Sequence, residues 1–280
     1  MSVRVLRDRR VVVAGAPFLL ALMVVVAACG GNDRRITVFA AASLADVFEE
    51  IADAFEADHP DVEVRLSFGG SQRLRLQLEQ GAEADVFASA NPEQIALAES
   101  QGLTTAPAVS FASNELVVVI PASNPAEISL LADLAGDIRL VVAQESVPAG
   151  QLTREVLERL DLAEAVLDQV VSEEESVRRV LTKVVLSEAD AGFVYRTDAL
   201  SAGDAVITLE VDALDLSAGD LRNDYRIATT VDAASPELAA EFVAFVQGSE
   251  ARSILEAAGF RSVPAVVAED GAALGAEAGP

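Results

Sequence analysis

The 280-residue chain has one cysteine, one histidine, no tryptophan and two tyrosines, and its 20 basic residues face 45 acids. Each scarcity removes a class of function. A single thiol allows no disulfide within the chain, so stability has to come from an apolar core. With 51% hydrophobic residues, the material for that core is present and a disordered chain is excluded. The lone histidine, His59 in Asp58-His59-Pro60, cannot build a metal site. An exported hydrolase would need a nucleophile with its base, and neither a histidine cluster nor a Gly-x-Ser-x-Gly turn is there to supply one. A net charge of -25 argues against nucleic acid, because phosphate backbones require an excess of Lys and Arg.

The first thirty residues read as an address. Arg4, Arg7, Arg9 and Arg10 form a basic start, and an apolar run from Val11 to Ala28 follows, interrupted by Gly15 and Pro17. A membrane-spanning anchor is the plainer reading of a run close to the minimum spanning length. Val26-Ala27-Ala28-Cys29-Gly30 decides otherwise: small residues directly before the only cysteine resemble a lipobox, in which the cysteine is acylated and becomes the mature N-terminus. Residues 1–28 are therefore expected to be a signal peptide, with Cys29 the lipid-attachment site. Arg9-Arg10 is also compatible with twin-arginine export. Cleavage there takes four Arg and one Asp from the chain and lowers its net charge from -25 to -28. A chain this acidic would not draw an anion with its overall field, so any anion affinity would have to be local.

From Ile36 onward, strands and helices alternate. Ile36–Ala40 is a short apolar strand. Leu44, Val47, Phe48, Ile51 and Phe55 follow helical spacing until His59-Pro60 ends it. Val62, Val64, Leu66 and Phe68 alternate with polar residues, as a strand with one buried face does. The pattern returns after Ile138–Ala143, with helices carrying Leu152, Val156, Leu157 and Leu160, then Val177, Val180, Leu181, Val184 and Val185. Leu116–Ile120, stopped by Pro121, and Ala191–Tyr195 read as buried strands. Helices over 236–247 and 249–258 close the domain, and the Ala-, Gly- and Glu-rich stretch after Val263 reads as a disordered tail. The architecture expected is α/β with mostly parallel sheets.

Parallel α/β sheets bind ligands beyond the carboxyl ends of their strands, where the helices that start there present unpaired N–H groups. Four segments combine small or capping residues with a following amphipathic helix: Ala41-Ala42-Ser43, Gly69-Gly70-Ser71, Val147-Pro148-Ala149-Gly150 and Ser176-Val177. Each supplies donors and partial positive charge without a cation. Taken singly, any of them could equally be an ordinary helix cap or turn.

Together they are recognisable. Thr37-Val38-Phe39-Ala40-Ala41-Ala42-Ser43-Leu44, Ser67-Phe68-Gly69-Gly70-Ser71 and Gly81-Ala82-Glu83-Ala84-Asp85-Val86-Phe87-Ala88-Ser89-Ala90 resemble the molybdate-binding proteins of ABC importers. Val147-Pro148-Ala149-Gly150, Ser176-Val177-Arg178 and Glu188-Ala189-Asp190-Ala191-Gly192-Phe193-Val194-Tyr195 continue the resemblance in the same order, over roughly Ile36 to Phe260. The resemblance implies a two-lobed periplasmic-binding-protein type II fold, with a mixed, mostly parallel sheet in each lobe and the ligand cleft between them. The expected layout is a tether over 29–35, a first lobe from 36–113 plus 227–264, a second from 114–226, and a disordered tail over 265–280. The lobes would be joined by crossing segments near Ser113 to Leu116 and Tyr225 to Ala228.

The ligand implied is molybdate or the nearly isosteric tungstate, sulfate being smaller, and no cofactor is expected. The residues implied to hold it are the hydroxyls of Ser43 and Ser71, the amides of Ala149 and Val177, and the hydroxyl of Tyr195. The partners implied are an ABC permease with its cytoplasmic ATPase, and the membrane through the lipid on Cys29; the chain is expected to be a monomer. Three departures stand out. Gln72 and Arg73 follow Ser71 where the family has a small residue, with Arg73 expected to face solvent. Ala143-Gln144-Glu145-Ser146 replaces Gly-Asp-Pro. Glu173, Glu174 and Glu175 precede the Val177 helix, where they are expected to be exposed and to pair with its dipole.

Overall fold

The computed structural model describes residues 34–105, 107–211 and 221–263. The expected signal peptide, Cys29 and the tail over 265–280 lie outside the described residues. In chain order the elements are β1 (Arg34–Ala41), α1 (Ala45–Asp58), β2 (Val62–Gly69), α2 (Ser71–Glu79), β3 (Val86–Ser89), α3 (Pro92–Ser100), β4 (Val109–Pro121), β5 (Leu140–Ala143), α4 (Pro148–Arg159), α5 (Ala163–Leu167), β6 (Val170–Glu174), α6 (Val177–Val185), β7 (Ala191–Tyr195), α7 (Arg196–Ala202), β8 (Val206–Leu209), β9 (Arg222–Thr229), α8 (Pro236–Val246), α9 (Ser249–Ala257) and β10 (Arg261–Ser262).

Two mixed sheets share the long strand β4, and this organises both lobes. In the first, β1 lies parallel between β2 and β3. Beyond β3, β9 and the first half of β4 run antiparallel, and β10 pairs with β4. In the second, β5 lies parallel between β6 and β7, while the second half of β4 pairs antiparallel with β7 and β8. Parallel pairing is thus confined to the β2-β1-β3 and β6-β5-β7 units, where helices make the crossovers.

The lobes repeat one local device. Asp85, just ahead of β3, donates its own N–H to the Thr37 carbonyl at 2.8 Å, and its carboxylate accepts the Thr37 N–H at 2.7 Å. Asp190, just ahead of β7, does the same with Arg139 ahead of β5, at 2.8 Å for each bond. Each aspartate fixes the register of two neighbouring parallel strands, so these acids hold scaffold rather than ligand.

The apolar face of each helix found its sheet. Phe48 and Phe55 of α1 meet Phe242 of α8 with ring centroids 6.4 and 5.2 Å apart, and Phe48 lies 5.8 Å from Phe111 of β4. In the second lobe Val177, Val180, Leu181 and Val184 of α6 are buried. Gly192 of β7 makes room for that helix: a Cβ there would lie 2.7 Å from Val180 Cγ1. Filling such a site costs about 1–3 kcal/mol.

Three expectations need correction. Arg34 and Arg35 belong to β1, paired with Val62 and Glu63, rather than to a tether; ladder bonds to β2 extend the strand ahead of its first apolar residue, Ile36. The second lobe does not extend to residue 226, because β9 has rejoined the first sheet at Arg222, opposite Glu115. Finally, Glu174 is buried in β6, its carboxylate 2.5 Å from Lys183 Nζ and accepting the Ser172 hydroxyl. A buried carboxylate needs such a partner. Arg73 does face solvent, paired with Glu175 at 3.7 Å.

Candidate functional site

The carboxyl ends of the six parallel strands converge on one cavity of about 210 Å3, counting its mouth. After β1 come Ala41, Ala42 and Ser43, after β2 Gly70 and Ser71, and after β3 Ala90. After β5 come Val147, Pro148 and Ala149, after β6 Ser176 and Val177, and at the end of β7 Tyr195. All five residues singled out from the sequence therefore line a single cavity, three from one lobe's turns and two from the other's when sorted as Ala149, Val177 and Tyr195 against Ser43 and Ser71. No acidic or basic side chain lines it.

Helix geometry supplies the amides. Ala149 is the second residue of α4 and Val177 the first of α6, positions whose N–H groups have no acceptor within their own helix. Pro148 at the first position of α4 has no N–H to lose there. Ser176 holds the cap position of α6, yet its side chain makes no capping bond. Gly150 permits the tight approach of the preceding loop, since a Cβ there would clash with the carbonyl oxygens of Ala143 and Gln144.

Each hydroxyl already has a polar partner, and in Ser71 and Tyr195 the hydroxyl is the acceptor. Ser71 Oγ accepts the Ala90 N–H at 3.1 Å. Tyr195 Oη accepts from Asn223 Nδ2 at 2.6 Å, and the same amide reaches the Pro148 carbonyl at 3.2 Å. Ser43 Oγ lies 2.8 Å from Tyr225 Oη, which in turn is 3.5 Å from Asn114 Nδ2. With Asn114 donating to Tyr225 and Tyr225 to Ser43, each of the three hydroxyls keeps its own proton for the cavity. Burial pushes the Tyr195 phenol well above its ordinary range, against the Asn223 bond that favours ionisation, and Tyr225 is raised by burial too. Both phenols are therefore neutral donors at physiological pH.

Contacts across the cleft hold the lobes together. Gln72 Nε2 donates to the Glu175 carbonyl at 3.1 Å, Asn91 Nδ2 to Gln151 Oε1 at 3.3 Å, and Arg178 to Asp46 at 2.6 Å. Arg178 Nε lies 2.8 Å from the buried Asp198 carboxylate. Tyr195 and Tyr225 meet edge to face at 5.9 Å where the lobes join. The three glutamates ahead of Val177 are each offset by a cation: Glu173 by Arg154, Glu174 by Lys183, and Glu175 by Arg73 and Arg179. Their repulsion of an anion at Val177 is correspondingly reduced.

Sequence reasoning missed the supporting residues. Tyr225 read as part of a return crossing, and Asn114 and Asn223 drew no attention, because a lone polar residue on a strand carries no motif. The available signal was polarity itself: Asn114 and Glu115 interrupt an otherwise apolar strand, and buried polar groups have to be paired.

The model of a bacterial extracellular solute-binding protein family matches residues 36–261. This chain belongs to that family. Molybdate-binding protein ModA of Mycobacterium tuberculosis H37Rv is 40% identical over 256 residues, covering 83% of this chain and 91% of that protein. Among solved structures, the Azotobacter vinelandii periplasmic molybdate-binding protein superposes with a TM-score of 0.70 at 22% identity, over 80% of this chain and 98% of its own. The sulfate-binding protein SubI of M. tuberculosis H37Rv superposes with a TM-score of 0.68 at 19% identity, over 83% and 88%. These two establish the fold, that of two-lobed periplasmic binding proteins.

Proposed function

We propose that this solute-binding protein captures molybdate, or the nearly isosteric tungstate, and hands it to an ABC permease driven by a cytoplasmic ATPase. The observation that carries this reading is a cavity lined, among the described residues, by neutral donors and apolar groups, with three hydroxyls that each already have a polar partner. The ligand-binding roles go to Ser43, Ser71, Ala149, Val177 and Tyr195. Charge-assisted bonds from neutral donors are strong enough to hold a dianion. They also avoid the retention that an arginine or lysine in the cavity would impose. An anion that still carries a proton would bring a donor to a site with no carboxylate among its described lining residues to accept it, and leaving that group unpaired is costly.

Each lobe supplies part of the cage, so the anion favours the closed state by differential contact. The Gln72, Asn91 and Arg178 bridges across the cleft are the contacts such closure would make. We assign no catalytic role: the relatives are binding proteins, and Ser43 faces a protonated phenol rather than a base that could take its proton. The lipobox-like Val26-Ala27-Ala28-Cys29 supports anchoring through a lipid on Cys29 at the outer face of the cell membrane, with the chain acting as a monomer and without a cofactor.

Titration calorimetry with molybdate tests the assignment. Replacing Ser43 and Ser71 together with Ala removes two charge-assisted bonds, each worth about 1.5–3 kcal/mol, and should weaken binding by at least roughly tenfold. Unchanged affinity in the double variant would refute the assignment.

A further inference from the structure

A second cavity, of about 930 Å3 counting its mouth, opens where β4 begins, and it shares no lining residue with the cleft. Its walls are mixed: Val109 and Phe111 from β4 and Val246 from α8 give an apolar side, and Ser110 and Gln247 are polar. Two arginines line it: Arg226 of β9, set between Ser89 of β3 and Ser110 of β4, and Arg252 of α9.

In a chain with 45 acids, nearly every other guanidinium in the described residues is engaged by a carboxylate. Among the described residues Arg226 and Arg252 have no ion pair, and the Arg226 Nε is buried without a hydrogen-bond partner. No acidic side chain lines the cavity either. A buried guanidinium N–H left unpaired is costly, and two unpaired cations sharing one pocket repel each other unless an anion lies between them.

We propose that this cavity is a second anion site, taking a small organic anion whose carboxylate or phosphate group sits on Arg226 and Arg252 while an apolar body packs against Phe111, Val109 and Val246. Planar guanidiniums match both oxyanion groups in a two-bond geometry. The volume exceeds what an inorganic ion alone would fill, and the apolar side of the cavity has room for an organic body.

Calorimetry on the full-length protein, held in excess molybdate so that the cleft is filled, tests this with phenyl phosphate and benzoate as probes and inorganic phosphate as comparison. One of the organic probes should give saturable one-site heat. R252Q, a half-buried helix position whose loss leaves the core intact, should weaken that binding by at least roughly tenfold, as should R226Q. Both variants should keep the parent's molybdate affinity and, without the organic probe, melt at or above the parent's temperature, because each relieves the unpaired charge. Because both arginines lie outside the cleft, their effect on probe binding separates this site from the cleft whichever anion the cleft prefers. No saturable heat from either organic probe, or heat undiminished in both variants, overturns the proposal. Inorganic phosphate binding as well as phenyl phosphate overturns the organic class of ligand. Heat that appears only after residues 264–280 are removed also overturns it, in favour of the chain's own carboxylates as occupant.

Discussion

Adding one methyl group at Gly70 should weaken ligand capture without harming the fold. Gly70 has φ -60° and ψ 135°, a conformation that alanine adopts freely. The obstacle lies across the cleft, where a Cβ at this position would fall far inside contact distance of the Glu175 carbonyl oxygen. It would also meet the Gln72 side chain, which can move aside; the carbonyl belongs to the segment leading into α6 and cannot. Restoring van der Waals contact requires the lobes to part by roughly 1 Å. Glu175 is two residues before Val177, so the Val177 amide moves with it. A hydrogen bond lengthened by ~1 Å from its ordinary length is lost. A bond to a charged group is worth about 1.5–3 kcal/mol, so Gly70→Ala should weaken molybdate binding by about tenfold to a hundredfold from Val177 alone. Calorimetry measures the affinity, and small-angle scattering with and without molybdate reports closure. The ligand-free variant should melt as the parent does. Parental affinity together with parental compaction would refute the view that closure brings these donors together.

Tyr195→Phe removes one donor and leaves a bond of the Asn223 amide unfulfilled; calorimetry should show molybdate affinity reduced by roughly tenfold or more, and an unchanged value would remove Tyr195 from the site. Stability should depend on pH in two opposed ways. Burial pushes Asp198 up to about 6 despite Arg178 beside it, so between the ordinary carboxylate range and about 6 the folded protein holds a proton that the unfolded chain has released. Stability from this group therefore falls as pH rises through that window. Glu115 and Glu174 are raised by burial, but hydrogen bonds from Arg222, Arg261 and Arg196, and from Lys183 and Ser172, outweigh it and hold them low; Asp190 is held low by Arg139. Their contribution is present above the ordinary carboxylate range and is lost as pH falls through their folded values. Melting temperature should peak near about pH 5, and Asp198→Asn should flatten the decline above it; a steady rise to neutral pH would contradict this.

How much of this could be read in the sequence follows from how local each signal is. Strands β1 and β2 and helices α1, α4 and α6 announce themselves through apolar periodicity within a dozen residues. The turns at Ser43, Gly70-Ser71, Pro148-Ala149 and Ser176-Val177 sit where those patterns begin. Their convergence follows from the parallel topology, which the alternation of strands and helices implies. Strand β4 was half legible: Leu116–Ile120 is an apolar run, while Ser110, Ser113, Asn114 and Glu115 break the pattern that would have extended it. Those polar residues are buried at the junction between the sheets. Glu115 alone is bonded there to Arg196 from the second lobe and Arg222 and Arg261 from the first, partners distant in sequence. The Gln72 bridge to Glu175 spans 103 positions and the Tyr225 bond to Ser43 spans 182. Contacts like these exist only once the fold has been made, so no window of sequence holds them.

The central claim is that neutral dipoles from both lobes recognise an oxyanion because it offers acceptors at every oxygen and carries no proton. Competition calorimetry on the molybdate-loaded protein tests it most directly, with tungstate, sulfate and phosphate added in turn at neutral pH. The account predicts that tungstate displaces molybdate readily, that sulfate does so according to how well its smaller radius fits, and that phosphate fails even at roughly a thousandfold excess. Displacement by phosphate at concentrations comparable to molybdate would contradict it.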